Sequence, residues 1–199
     1  MPIFPLPRAV LLPGAALPLH VFEERYRALV AHCLQGAGVM GIATLRVDAE
    51  APLDRAAIWP EIGVGQVVAH QPFPDGRCNI ILQSVGQAVL EEELDLSHPF
   101  RVVRARPIEP DDRGVGPALS ALKVLVLQIG GLSPTAADEA RRLAQLDGMD
   151  LVDALAHRLL EDPTDQRHYL GAGRLLDRVT QVQDRLASFL PSSAPAGES

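Results

Sequence analysis

The 199-residue sequence is poor in the residues that most catalytic and metal chemistry requires. Its two cysteines, Cys33 and Cys78, are too few for a disulfide framework and lack the paired spacing of a zinc site. They are expected to be buried free thiols, which suits a reducing cytosol. Lys123 is the only lysine, and acidic residues outnumber basic ones by 25 to 18, giving a formal net charge of -7 and a pI near 5.3. That balance argues against a nucleic-acid surface, whose affinity comes mainly from Lys and Arg neutralising phosphates. No apolar run approaches membrane-spanning length, and no basic-then-apolar leader opens the chain, so a cytoplasmic location without membrane contact is expected.

The motifs that would announce a cofactor are missing too. There is no Walker A sequence, which excludes that type of ATPase from these residues. Gly63-Val64-Gly65 lacks the third glycine and the following helix of a dinucleotide site; it reads as a strand bend or bulge. The six histidines show no ligand spacing with cysteines or carboxylates, so neither a metal nor a cofactor is expected. Ser120-Ala121-Leu122-Lys123 matches Ser-x-x-Lys, a nucleophile motif, and would make Ser120 and Lys123 the working pair of a small serine hydrolase. The partner Lys-Thr-Gly motif cannot exist without a second lysine. A serine near a helix start and a lysine lying along the helix is the favoured reading, and no catalytic residue is assigned.

What the chain does have is apolar patterning, with 47% hydrophobic residues. Ile3-Phe4 and Val10-Leu11-Leu12 are short apolar runs bracketed by Pro2, Pro5, Pro7, Pro13 and Pro18, which punctuate strands. Pro13-Gly14 reads as a turn. Phe22, Tyr26, Leu29, Val30 and Cys33 then recur at helical spacing, which predicts an amphipathic helix with Phe22 and Tyr26 in the core. Glu23 and Glu24 fit its first turn, where the helix dipole favours anions. Met40–Val47 predicts a buried strand. Asp48–Pro60 predicts a surface excursion ending at Trp59, the only tryptophan. Ile62–His70 and Cys78–Val85, joined by a turn at Asp75-Gly76, predict a β-hairpin. Gly86 suggests another turn, and Ala88–Leu94 and Phe100–Arg106 are further strands.

The composition changes at Asp111–Pro117. The predicted organisation is a β subdomain over 1–110, a linker over 111–117, a helical bundle over 118–190 and a disordered tail over 191–199. Leu119, Leu122, Val126 and Ile129 mark a largely buried helix; Asp162-Pro163 opens a last helix running to about Leu190.

The opening stretch resembles the N-terminal, substrate-binding domain of Lon protease. Phe4-Pro5-Leu6, Leu12-Pro13-Gly14, Leu17-Pro18-Leu19 and Phe22-Glu23-Glu24-Arg25-Tyr26 follow that family's order and spacing. Gly63–Val68, Asp75-Gly76-Arg77 and Ile80–Gly86 continue the layout. Gly86-Gln87-Ala88-Val89 departs from it, lacking the arginine of a Gly-x-x-Arg segment. The resemblance implies an α+β fold: a PUA-like, mainly antiparallel β barrel with one inserted helix, followed by a C-terminal helical bundle. It implies a stand-alone, non-catalytic module that binds a polypeptide or protein partner, such as unfolded or degron-bearing proteins, in an apolar groove. RNA binding, known for PUA-like barrels, is the other implication, and the acidic balance weighs against it. Trp59 and Phe73, both expected in loops, are the candidate exposed contacts.

Overall fold

The computed structural model of the protein describes residues 1–46, 56–95 and 97–190. Two compact units emerge: Met1–Pro110 with Glu161–Gly173, and Asp111–Leu160 with Arg174 onward. The sequence reading runs the bundle unbroken over 118–190; the structure returns Glu161–Gly173 to the β-rich unit.

The first unit is built on six strands: β1 (Ile3–Leu6), β2 (Ala16–Val21), β3 (Val39–Leu45), β4 (Ile58–Pro72), β5 (Cys78–Leu94) and β6 (Val102–Pro107). Helix α1 (Glu24–Leu34) follows β2. The strand order is β1-β3-β4-β5-β2, with β6 also on β5. The β1–β3 pairing is parallel and the others are antiparallel. β2 and β6 occupy successive stretches of one β5 edge, since β4 holds the other. The expected closed barrel is therefore an open sheet. β1 meets β6 only through the isolated bridge Pro2–Val102, and no pairing joins β1 to β2 among the described residues. Proline supplies the reason: Pro5 and Pro7 on one edge and Pro18 on the other remove donors that a closing ladder would need.

A core of Ile3, Ala43, Leu45, Ile58, Ile62 and Val103 fills the sheet's inner face. Several elements differ from the sequence reading. Val10-Leu11-Leu12 is irregular, with Leu11 and Leu12 buried where the chain crosses β4 and Gly63 and Gly65 leave room, and β2 lies instead at Ala16–Val21. Gly86 does not end a strand; β5 runs through it, and a register shift against Val64/Gly65 supplies the bulge. The hairpin turn at Asp75-Gly76 is as expected, with Gly76 at φ 84°. The surface excursion expected over Asp48–Pro60 lies largely outside the described residues, as does the tail over 191–199.

The second unit contains α2 (Gly116–Gly130), α3 (Pro134–Ala144), α4 (Gly148–Leu159) and the last helix of the chain. Between them, α5 (Pro163–Gly171) belongs to the first unit and packs on β4, while α6 (Leu175–Ala187) returns to the second. The helix expected from Asp162 to about Leu190 is thus two, broken at Gly171-Ala172-Gly173. Leu175, Val179, Val182 and Leu186 form its buried seam, while Phe189 lies beyond the helix and exposed. In α2 only Leu122 and Val126 of the apolar side chains are buried; Val124 and Leu127 are exposed, so one face rather than most of the helix is covered.

Candidate functional site

The two free edges of the sheet frame a groove of ≈ 220 Å³. Phe4–Pro7 line it from the β1 side, Leu19–Val21 from β2, and Phe22, Glu23, Arg25 and Tyr26 from the entry to α1. Its floor is fixed by stacking: the Phe4 and Tyr26 rings lie 4.0 Å apart and 18° from parallel. The Tyr26 hydroxyl donates to the Pro5 carbonyl at 3.5 Å. Burial raises the Tyr26 pKa, keeping the phenol a neutral donor. Arg25 lies 4.6 Å over the Tyr26 ring and is held there by Glu23, at 2.8 Å.

Phe22 forms the rim and is 60% exposed, against the expectation that it is core. The reason is local. The chain is still extended after Val21 and the helix begins only at Glu24, so helical spacing does not reach Phe22. Tyr26, about one helical turn later in the same pattern, is buried as expected.

The two contacts chosen from the sequence flank this groove rather than line it. Phe73 sits in the β4–β5 turn. His20, held by Asn79 at 2.7 Å, bridges it to the rim: the His20 ring lies 6.1 Å from Phe22 and 6.2 Å from Phe73. Trp59 is in strand β4, not a loop, and is half-buried. The Arg167 and Arg46 guanidinium groups stack on its ring at 3.9 and 4.4 Å. The sequence reading puts Phe22 in the core and gives His20 no site role, and nothing in the linear sequence joins Arg46, Trp59 and Arg167.

The hydrolase pair is otherwise engaged. The Ser120 hydroxyl donates to the Gly116 carbonyl at 3.0 Å, and the Lys123 ammonium pairs with Asp147 at 2.6 Å. Neither is hydrogen-bonded to the other. Among the described residues no group of three or more His, Cys, Asp and Glu side chains could hold a metal ion, and no helix is long and apolar enough to cross a membrane. Cys33 and Cys78 are free and buried.

An α+β unit with an open sheet, an inserted helix and an apolar groove between its edge strands defines a class of groove-bearing domain. Residues 1–195 match the model of the ATP-dependent protease La (LON) substrate-binding domain, and the chain belongs to that family. Over 107 residues, 53% of the chain, it is 29% identical to the Lon protease of Porphyromonas gingivalis, and the match spans only 12% of that protein's length. Two solved structures share the fold. The N-terminal domain of Mycobacterium avium complex Lon protease superposes with a TM-score of 0.71 at 14% identity, covering 95% of this chain and 98% of that one. The Lon N-terminal domain protein from Xanthomonas campestris gives 0.64 at 20% identity, covering 96% and 98%.

Proposed function

We propose that this protein recognises polypeptides without transforming them, by taking an apolar side chain of an unfolded or degron-bearing protein into the groove between β1 and β2. The observation that carries this is Phe22, a large apolar side chain 60% exposed at the rim of a groove floored by buried rings. Family membership agrees with it. On this reading the first unit is a PUA-like barrel whose wall is left open between β1 and β2, and the opening is the binding feature. The single Pro2–Val102 bridge, which nearly completes the wall elsewhere, supports that view.

Backbone geometry supplies a second handle. Ser84 N donates to Ala15 O, so odd-numbered residues of this segment pair with β5, and the backbone groups of Ala16 and His20 point to the open edge. Pro18 contributes only its carbonyl there. A peptide strand can add along this edge, its backbone held by those groups and its side chain by the groove.

The test uses a labelled unfolded polypeptide and short apolar peptides, followed by fluorescence anisotropy. Burying a Phe-sized side chain is worth about 1.5–3 kcal/mol, so Phe22→Ala is expected to weaken binding roughly tenfold to a hundredfold. Because Phe22 is exposed, thermal stability should barely change. Binding no better than that of a charge-matched polar control, or unaltered by Phe22→Ala, would sink the assignment.

A further inference from the structure

A second cavity, of ≈ 390 Å³, adjoins the groove, with Pro7 and Leu45 lining both. Its chemistry is cationic rather than apolar. Trp59 and Arg8 line it, and Arg167 and Arg46 stack on the Trp59 ring. Arg167 is only 7% exposed. Its guanidinium donates to Pro163 O at 3.2 Å and to Thr164 Oγ1 at 3.4 Å, both neutral acceptors.

No carboxylate among the described residues lies within ion-pair distance of Arg8, Arg46 or Arg167. Arg25, Arg77, Arg101 and Arg104 of the same unit each hold one. Asp162 is the one carboxylate lining the cavity; it caps α5 by accepting the backbone N–H of Thr164 at 2.7 Å, and the Arg8 charge also acts on it from beyond ion-pair distance. Two cations, Arg8 and Arg167, thus line the cavity with one carboxylate, and a third, Arg46, stacks on the Trp59 ring that borders it, in a chain of net charge -7. A buried guanidinium without a counter-ion is costly, and stacking on an indole offsets only part of that cost. The first turn of α5, which also lines the cavity, adds the positive end of a helix dipole. A planar guanidinium is suited to bind a carboxylate through two parallel hydrogen bonds.

We propose that this cavity takes a carboxylate of the bound polypeptide, from an acidic side chain or a free C-terminus, next to the apolar residue held in the groove. The assignment rests on the polypeptide reading above and sharpens it: the preferred segment is apolar with a negative charge beside it. The rest of the chain favours this over a nucleic-acid phosphate, because a net charge of -7 repels a polyanion while a single carboxylate reaches the arginines alone.

Trp59 is the only tryptophan, so its emission reports occupancy of the cavity directly. Four synthetic peptides would share one apolar segment and differ in having Glu or Gln beside it, and a C-terminal carboxylate or amide. Binding is followed by peptide anisotropy and by Trp59 emission. Carboxylate-bearing peptides should bind at least about tenfold more tightly than the Gln amide. The gain should fall below about twofold in the Arg8→Gln/Arg46→Gln protein and at roughly 0.5 M salt. Both arginines are exposed, so the double variant should fold; circular dichroism checks it. A gain from the Glu peptide identifies a side chain as the source, and a gain from the free terminus alone identifies the terminus. Equal affinity for all four peptides, with Phe22→Ala still weakening each, overturns the carboxylate site and leaves the groove standing. Absence of binding by every peptide overturns the groove, and the carboxylate site with it. Tighter binding of a single-stranded oligonucleotide than of any peptide, lost in the same double variant, overturns it in favour of nucleic acid.

Discussion

Replacing Gly63 with alanine tests the account of why the sheet and the chain crossing it fit together. A Cβ at Gly63 would stand 2.2 Å from the Leu11 carbonyl oxygen and 2.8 Å from Leu11 Cβ. Carbon–oxygen contacts normally begin at about 3.3 Å, so roughly 1 Å of movement is required. Neither side yields easily. The obstacle is backbone rather than a side-chain tip, Leu11 and Leu12 are 1% and 2% exposed, and Gly63 is paired with both Ile42 and Gln87. Overpacking of this kind costs about 1–3 kcal/mol, and a backbone obstacle places it at the upper end. For a chain of this size each kcal/mol lowers Tm by about 2–4 °C, so a loss of about 6–12 °C is expected. Thermal circular dichroism and urea titration measure it, with the midpoint moving and the slope unchanged. Gly86→Ala is the matched control: it lies in the partner strand, meets nothing within 4 Å and should shift stability by less than about 1 kcal/mol. If Gly63→Ala melts with the wild type and with Gly86→Ala, the crossing is not tight and the reasoning fails.

The other expectations are narrower. Leu122→Ala, at a side chain 0% exposed in α2, should cost about 2–5 kcal/mol by urea titration; a loss under about 1 kcal/mol would show that α2 is poorly packed within its unit. Burial pushes the Cys33 thiol up to about 11 and raises Cys78 as well, so both should resist thiol reagents at pH 8 in the folded protein and react at once in denaturant. Rapid native labelling at Cys33 would contradict its burial. Hydrogen bonds from the Arg113 side chain and backbone hold the Asp111 carboxyl down at about 2. Its folded pKa lies below that of an unfolded aspartate, so the turn adds stability above the ordinary carboxylate range and loses it as pH falls toward 2. Asp111→Asn should flatten that part of the acid-denaturation curve, and an unchanged curve would refute the role. Pro18→Val restores an outward N–H on the open β2 edge and should raise self-association, read by light scattering; a monomeric, unaltered variant would mean the edge is not available.

Local signals were legible where one or two residues decide the backbone. Asp75-Gly76 forms the hairpin turn, Glu23-Glu24 mark the start of α1, and Asp162 caps α5 with its carboxylate on Thr164 N. Features that depend on distant chain were not. Leu11 and Leu12 read as a strand because they are apolar, but their burial comes from crossing two glycines of β4 more than fifty residues away, which periodicity cannot register. Gly86 reads as a stop because glycine weakens strands, yet pairing with β4 carries β5 through it. The long C-terminal helix fails for the opposite reason: Gly171 and Gly173 weaken it just where α5 finds the sheet and α6 does not. The site followed the same division. Apolar character drew notice to Trp59 and Phe73, whereas the groove belongs to the gap between two edges, and no single segment contains a gap.

That gap also explains why the prolines stand where they do. A sheet with two unpaired edges would ordinarily close on itself or recruit another copy. Proline at Pro5 and Pro18 is compatible with strands that pair on one side only, because a missing N–H costs nothing when it points away from the partner. For Pro18 the register shows this directly, since its nitrogen faces away from β5. The edges are therefore held apart by the same residues that define them, and the floor between them is filled by the stacked Phe4 and Tyr26 rings rather than by a ladder. Among the described residues this surface does not satisfy itself: it offers carbonyls, a few outward N–H groups and an exposed Phe22 with no strand to cover them. An extended peptide with an apolar side chain meets all three requirements at once. On the proposed reading, a partner that offers an extended, unpaired strand fits this edge, whether it comes from unfolded chain or from an exposed sheet edge.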